Sequence, residues 1–277
     1  METLKDKCKK YQLSRDYNLD TNKYIIVHVD GRSFSKEVKK KFKRPFDDNF
    51  VAMMNKTAKY LCENVQGCQL AYVQSDEITL ILKKSRPESD VFFNGRMCKM
   101  QSIIASMATA KFNRLALINK LKPLIYTESI LDDVFYTISD VINIIGNNSL
   151  YQFDCKVWDV DNANDAFAWL LYRNIDCIRN SKNQTAQTYI PHNELVGKTA
   201  DEAIAMLREK KAIDWNIFPD TLKYGRILRK KKVEIDGEGG KAIRAKWVVE
   251  PCNDLTNEGK RIKFIETNNF LKDNEYE

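Results

Sequence analysis

Residues 69–82 read QLAYVQSDEITLIL. Two apolar runs, 70–73 and 78–82, flank the polar tetrad Gln74, Ser75, Asp76 and Glu77. Short β-branched runs around a polar break specify a hairpin, here with acids at its tip. Upstream, 24–29 (YIIVHV) is a β-branched run ending in Asp30 and Gly31, which predicts a buried strand followed by a turn. Between the two, 47–64 repeats apolar residues at Phe50, Met53, Met54, Ala58 and Leu61, a helical period opened by an Asp cap.

Beyond the hairpin, 95–113 (GRMCKMQSIIASMATAKFN) contains no proline and spaces Arg96, Lys99, Ser102 and Ser106 by three and four, so a helix carries them on one face. The apolar stretch 114–148 fits no element of the pattern and reads as an insertion, closed by a turn at Gly146, Asn147 and Asn148. In YQFDCKVWDV, Phe153, Cys155 and Val157 alternate with Gln152, Asp154 and Lys156, a half-buried strand. Residues 162–181 then read as a helix packing through Phe167, Trp169, Leu170, Leu171 and Ile175, with Arg173, Asp176, Arg179 and Asn180 polar. The order is βαββαβα. It predicts an α+β fold, a ferredoxin-like βαββαβ antiparallel sheet with helices on one face. A catalytic domain over 1–182 is followed by a C-terminal extension over 183–277: a helix at 198–211 opened by a Thr199/Glu202 capping box, a Trp/Pro loop, a basic hairpin turned at 236–240, and the acidic tail KDNEYE.

With 277 residues, 43% of them hydrophobic, the chain can bury a substantial core. No apolar run approaches the roughly 20 residues of a membrane span, and METLKDKCKKYQL is too polar for a signal peptide, so a soluble cytoplasmic protein is expected. Seven cysteines form no C-x-x-C pair and argue against a disulfide framework; two histidines leave little material for a zinc site or histidine acid/base pair. The net charge of +7 permits a polyanionic partner. Basic residues concentrate at Lys223, Arg226, Arg229, Lys230, Lys231, Lys232, Lys241, Arg244 and Lys246, either an RNA-tracking surface or a solvated hairpin.

Asp30 ends the first strand and Asp76 sits at the hairpin tip, so neighbouring strands bring both carboxylates to one sheet edge. Two hard oxygen anions that close suit magnesium, which takes a few carboxylates plus phosphate oxygens and supports phosphoryl transfer. Glu77 faces the other side of a regular strand and is ranked as an outer helper. Arg32, Arg44 and the Arg96, Lys99, Ser102 face are the phosphate-binding candidates. Each feature also has an ordinary alternative: Asp-Gly after a strand is a common turn, Ser-Asp-Glu at a hairpin tip is common solvent-facing sequence, and Asp154, Arg173, Asp176 and Arg179 suit structural ion pairs. His28, inside a strand, reads as a packed histidine. No G-x-x-x-x-G-K-S/T or G-x-G-x-x-G occurs, which excludes a P-loop and gives no dinucleotide fingerprint.

In this order, VHVDGRSF, FKRPFDD, AYVQSDEITL, GRMCKMQSIIAS, FDCKVW, LYRNIDCIRNS, ELVGKTADE and IDWNIFP resemble the tRNA(His) guanylyltransferase family, and more closely its Thg1-like branch of 3′-to-5′ polymerases. The resemblance runs from about Lys5 to about Lys232, omitting 116–148. It implies a polymerase-type palm, two Mg2+ ions on Asp30, the Gly31 carbonyl and Asp76, and catalysis by Asp30, Asp76 and Glu77. It further implies ATP and GTP or other NTPs held by Arg32, Ser33, Phe34, Arg44 (where Lys is usual), Ser75, Arg96, Lys99 and Ser102. RNA contacts fall on Arg173, Asp176, Arg179, Asn180, Lys223, Arg226, Arg229 and Lys230, and the family assembles as a tetramer. Guanylyltransferases that add G at position −1 carry His-Ile-Asn-Asn where this chain has Cys177, Ile178, Arg179 and Asn180. That departure favours template-dependent repair of truncated tRNA 5′ ends: activation of the RNA 5′-phosphate by ATP or GTP, attack on it by the 3′-hydroxyl of an incoming NTP, and pyrophosphate removal. Tyr172 replaces a usual Trp, a conservative change for a core position. Addition of G−1, a palm-fold nucleotidyl cyclase and a non-enzymatic RNA-binding module are the rival readings; QSDE in place of a GG-D/E-EF hairpin disfavours the cyclase.

Overall fold

A computed structural model of the chain describes residues 17–34, 41–125, 150–237, 240–268 and 271, with isolated positions near the N-terminus and within 142–146. Its principal elements are β1 (Tyr24–Gly31), α1 (Asp48–Asn64), β2 (Cys68–Gln74), β3 (Glu77–Leu82), α2 (Met97–Ile125), β4 (Phe153–Val160), α3 (Ala163–Tyr189), α4 (Ala200–Lys211), β5 (Arg226–Gly237), β6 (Gly240–Pro251) and α5 (Glu258–Thr267). All strand pairs are antiparallel in one sheet of order β4-β1-β3-β2-β5-β6. The first four strands have the ferredoxin-like arrangement expected of the βαββαβ pattern.

β1 lies between β4 and β3, which explains why YIIVHV is apolar without alternation: both its faces are covered. Ile25, Val27 and Val29 join Met54, Leu61, Met100 and Phe112 of α1 and α2 in one core, while Tyr24 and Ile26 join Ala166, Phe167 and Leu170 of α3 in a second. The two helices of the βαββαβ unit thus share a face, and the following helix covers the opposite one. Burying each such large apolar side chain contributes roughly 2 kcal/mol. α1 begins where expected: Asp47 accepts a hydrogen bond from the Phe50 N–H at 2.9 Å. α4 carries the predicted capping box between Thr199 and Glu202.

Three differences from the sequence reading follow, two in element boundaries and one in the buried face of α3. α2 runs on to Ile125, so the stretch from 114 begins as a continuation of that helix; 126–141, 144 and 147–149 lie outside the described residues. The basic hairpin is no separate appendage, since β5 pairs with β2 and extends the sheet; its turn at 238–239 and the tail from 272 are outside the described residues. In α3, Ile175 and Tyr172 are exposed, at 47% and 52%, while Arg173 and Asn174 are buried. The polar pair faces inward because each has built partners. Asn174 bonds the Tyr224 and Asn253 carbonyls and the Leu255 N–H, tying the C-terminal segment to α3. Tyr172 is therefore a surface position. Among the described residues no helix is long and apolar enough to cross a membrane.

Candidate active site

Strand register assembles the acidic centre. Asp30 on β1 lies directly across from Glu77 on β3 and from Asp154 on β4, which puts three carboxylates side by side on the α3 face of the sheet. Asp76 occupies the turn between β2 and β3. The Gly31 N–H donates to the Asp76 carbonyl at 3.2 Å, clasping that turn against the end of β1. A Cβ at position 31 would lie 2.9 Å from the Asp76 Cβ and 2.5 Å from the Phe34 ring, so the close approach requires glycine. Ser75 adopts φ 42°, and its hydroxyl donates to Asp76 Oδ1 at 2.8 Å.

The electrostatics are those of a site short of positive charge. Burial pushes the Asp30 carboxyl up to about 6, and Asp76, Glu77 and Asp154 push in the same direction against the pull of Arg173. Burial also raises Asp76, opposed by its hydrogen bond from Ser75. Among the described residues neither Asp30 nor Asp76 forms an ion pair. No group of three or more His, Cys, Asp or Glu side chains there forms a ready metal cage. The donor set is sparser: the Asp30 and Asp76 carboxylates, close enough for Asp76 to push Asp30 up. That suits magnesium, which keeps water and phosphate oxygens in its shell.

Glu77 departs from the expectation that it faces away from Asp30. The tip is a two-residue turn, Ser75 and Asp76, and cross-strand register returns Glu77 to the face of Asp30. There Arg173 grips it in bidentate fashion, Nε to Oε2 at 3.0 Å and Nη2 to Oε1 at 2.7 Å, and Gln74 Nε2 adds a bond at 2.9 Å. Arg173 Nη1 also meets Asp176 at 2.9 Å, and Asp176 pairs with Arg179. The chain Glu77–Arg173–Asp176–Arg179 is thus an internal ion-pair network. Of its basic members only Arg179, with a side chain 61% exposed, faces solvent. His28 is packed as predicted, edge-on to Trp169 and bonded to Thr79 Oγ1 at 3.2 Å; burial, then Arg173 and Lys156, push it down to about 4, so it is neutral at physiological pH.

The nucleotide-contact candidates divide. Arg32, Ser33 and Ser75 are exposed at the acidic end, Arg44 is half-buried in the segment before α1, and Lys99 and Ser102 lie exposed on the first turns of α2. Arg96 caps the turn preceding α2 and is not on the helix. The Ser102 hydroxyl donates back to the Cys98 carbonyl at 2.8 Å. Phe34 is 2% exposed and its ring sits among Phe50, Phe112, Tyr151 and Phe153, so it supports the site from the core without facing a ligand. Of the RNA-contact candidates, Lys223 and Arg226 are buried, which removes them from any surface that tracks a phosphate backbone. Lys223 bonds the Asn216 carbonyl and pairs with Asp220. Arg229 pairs with Glu250, and Lys230 lies over the Trp247 ring. Asn180 is exposed. Asp154, which the sequence reading grouped with the structural ion pairs, does not join the Arg173–Asp176–Arg179 network; the alternation of FDCKVW puts it on the polar side of β4, and only register puts it beside Asp30.

Comparison with known proteins bears on the same features. Residues 5–160, which contain the whole acidic centre, match the family model described as tRNAHis guanylyltransferase. An uncharacterised protein of Acanthamoeba polyphaga mimivirus is 28% identical over 262 residues, covering 90% of this chain and 84% of that protein. A probable tRNA(His) guanylyltransferase of Dictyostelium discoideum is 27% identical over 250 residues, covering 86% and 87%. Among solved structures, a bacterial tRNA(His) guanylyltransferase-like protein in complex with ATP superposes with a TM-score of 0.78 at 24% identity, covering 98% of this chain and 100% of that one. The tRNA(His) guanylyltransferase of Saccharomyces cerevisiae gives 0.59 at 23% identity, covering 84% and 93%. The polymerase-type palm expected from the sequence is the fold these structures share.

Proposed function

The chain belongs to the tRNA(His) guanylyltransferase family, and on that premise we propose that it extends the 5′ end of truncated tRNA or tRNA-like RNA, one templated nucleotide at a time. Membership makes it a nucleotidyltransferase; direction, template use, magnesium, the RNA partner and tetrameric assembly belong to the proposal. The observation that carries it is the convergence of Asp30 and Asp76, clasped through Gly31 and left without a cationic partner among the described residues.

Asp30, Asp76 and the Gly31 carbonyl would hold magnesium, which supplies charge neutralisation at transferring phosphates. Arg32 and Arg44, in the segments after β1 and before α1, would neutralise triphosphate oxygens, whereas Arg96 and Lys99, at the start of α2 beside Asn18, stand at the other end of β1 from Asp30. The Ser75 hydroxyl orients Asp76, and the Arg173 fork fixes Glu77 beside Asp30. In the first transfer an RNA 5′-phosphate oxygen bonds to the α-phosphorus of ATP or GTP and pyrophosphate leaves. In the second, the 3′-hydroxyl oxygen of an NTP bonds to the 5′-phosphorus and the nucleoside monophosphate leaves. Arg179 and Asn180, standing where the G−1-adding enzymes carry a histidine motif, support templated repair over G−1 addition.

The test offers two labelled substrates, a tRNA lacking its first nucleotide and an intact tRNA(His) transcript without G−1, with magnesium, ATP and NTPs. Template-matched growth confined largely to the truncated tRNA is expected. Preferential addition of a single G to the intact transcript would overturn the repair reading, and cyclic products from NTP alone would overturn RNA extension altogether.

A further inference from the structure

The solvent-facing stripe of α3 carries Ala168, Tyr172, Ile175 and Arg179 at helical spacing. Tyr172 is 52% exposed, yet its ring is held from one side. It lies 5.6 Å from the Trp169 ring, which meets Trp158 edge-on at 4.7 Å and His28 at 5.4 Å, and the Trp169 Nε1 donates to Thr79 Oγ1 at 3.4 Å. The Arg173 guanidinium stands 5.1 Å from the Tyr172 centroid. A packed aromatic row thus braces a ring that remains half open to solvent.

The row leads to the acidic centre. Arg173, next to Tyr172, grips Glu77, and Glu77 is paired in register with Asp30. On β4, an edge strand of the sheet, alternation puts Trp158, Lys156 and Asp154 on the α3 side, with Lys156 opposite His28 and Asp154 opposite Asp30. Two exposed cations accompany the row: Lys156 on β4, and Arg179, about 10 Å beyond Tyr172 along the stripe. An open aromatic ring between cations suits single-stranded nucleic acid, whose bases stack on the ring while its phosphates meet the charges. A protein partner would call for a broader apolar patch than Tyr172 and Ile175 provide.

Resting on the reading of the chain as an RNA-extending nucleotidyltransferase, we propose that Tyr172 is a stacking platform for an exposed base of the RNA substrate, with Lys156 and Arg179 taking the neighbouring phosphates. A tRNA short of its first nucleotide offers two such bases, the unpaired one of the template strand and the 5′-terminal one. Either base, laid on Tyr172, is separated from Asp30 by Arg173 and Glu77 alone, and the contact sets the position of the RNA end relative to the acidic centre.

A truncated tRNA carrying 2-aminopurine at one or the other of these positions reads the contact directly, because stacking quenches the fluorophore. The wild-type protein in magnesium quenches one of the two, and the position quenched names the base. Tyr172→Ala abolishes the quenching and weakens binding of the truncated tRNA about tenfold, Tyr172→Trp restores both, and all three proteins bind ATP equally. Quenching at neither position by wild-type protein that binds and extends the RNA overturns this inference alone, and that measurement needs no variant to fold. Undiminished quenching in Tyr172→Ala overturns it too. Weakened ATP binding there does the same by making Tyr172 a contact to the triphosphate substrate. A changed oligomeric state in light scattering, with quenching retained, overturns it in favour of a contact between copies of the chain. Failure of the folded wild type to bind the tRNA at all brings down the RNA-extension reading as well.

Discussion

Asp30→Asn is expected to stabilise the metal-free protein while abolishing nucleotide transfer. Asp30 titrates at about 6 against an ordinary 3.8, raised first by burial and then by Asp76, Glu77 and Asp154. Taken in full, a shift of that size corresponds to roughly 3 kcal/mol of strain on the ionised form. Asp30 is half open to solvent, so screening reduces this to about 1–1.5 kcal/mol. The sign follows from linkage. A carboxyl whose folded value is raised favours folding below its unfolded value and loses that contribution as pH rises through the folded one. The gain from Asn is therefore full above about pH 6 and absent below about pH 4. Thermal unfolding in EDTA at pH 8 should show the variant melting a few degrees higher, the shift about 1 kcal/mol produces in a domain of this size. Magnesium should raise the midpoint of the wild type and not of the variant. An Asn variant no more stable than wild type at pH 8, or equally advantaged at pH 4, would refute the electrostatic account of the site.

Arg173→Met leaves Glu77 and Asp176 without their shared partner and should cost about 3 kcal/mol in urea unfolding; a loss under about 0.5 kcal/mol would mean the network is solvated in solution. Gly31→Ala drives a methyl against Asp76 and Phe34, so single-turnover transfer should fall about 100-fold, whereas wild-type rates would show that the turn yields. Asn174→Leu removes three buried hydrogen bonds to the C-terminal segment and should cost about 3 kcal/mol, with backbone hydrogen exchange rising first around 224–255; unchanged protection there would contradict the bracing role.

Local periodicity made much of this molecule legible. The runs at 24–29, 70–73 and 78–82, the Asp47 cap and the alternation in FDCKVW all reappear as elements, because each records burial that only one secondary structure provides. Asp30 and Asp76 were legible for the same reason: strand ends and hairpin tips are positions a sequence marks. What the sequence could not disclose depends on register and on the third dimension. Glu77 was expected to face away from Asp30, but the pairing Asp30 with Glu77 and Asp154 is a property of three strands together. Arg173 reads as a structural ion pair with Asp176 or an RNA contact; the pair is present, but only the position of α3 over β3 turns Arg173 inward onto Glu77 as well. Arg226 belongs to a run of basic residues that looks uniformly solvated, yet it is the first residue of a strand lying under α1. Phe34, beside the acidic turn in sequence, is drawn into an aromatic core by residues more than seventy positions away.

The most direct test of the central claim is incorporation of labelled NTP at the 5′ end of a tRNA lacking its first nucleotide, measured with magnesium and ATP for wild type and Asp76→Ala. Templated 5′ growth by the wild type and none by the variant, with far-UV circular dichroism unchanged, is the predicted result. Growth persisting in Asp76→Ala, or no 5′ addition by the folded wild-type protein, would contradict it.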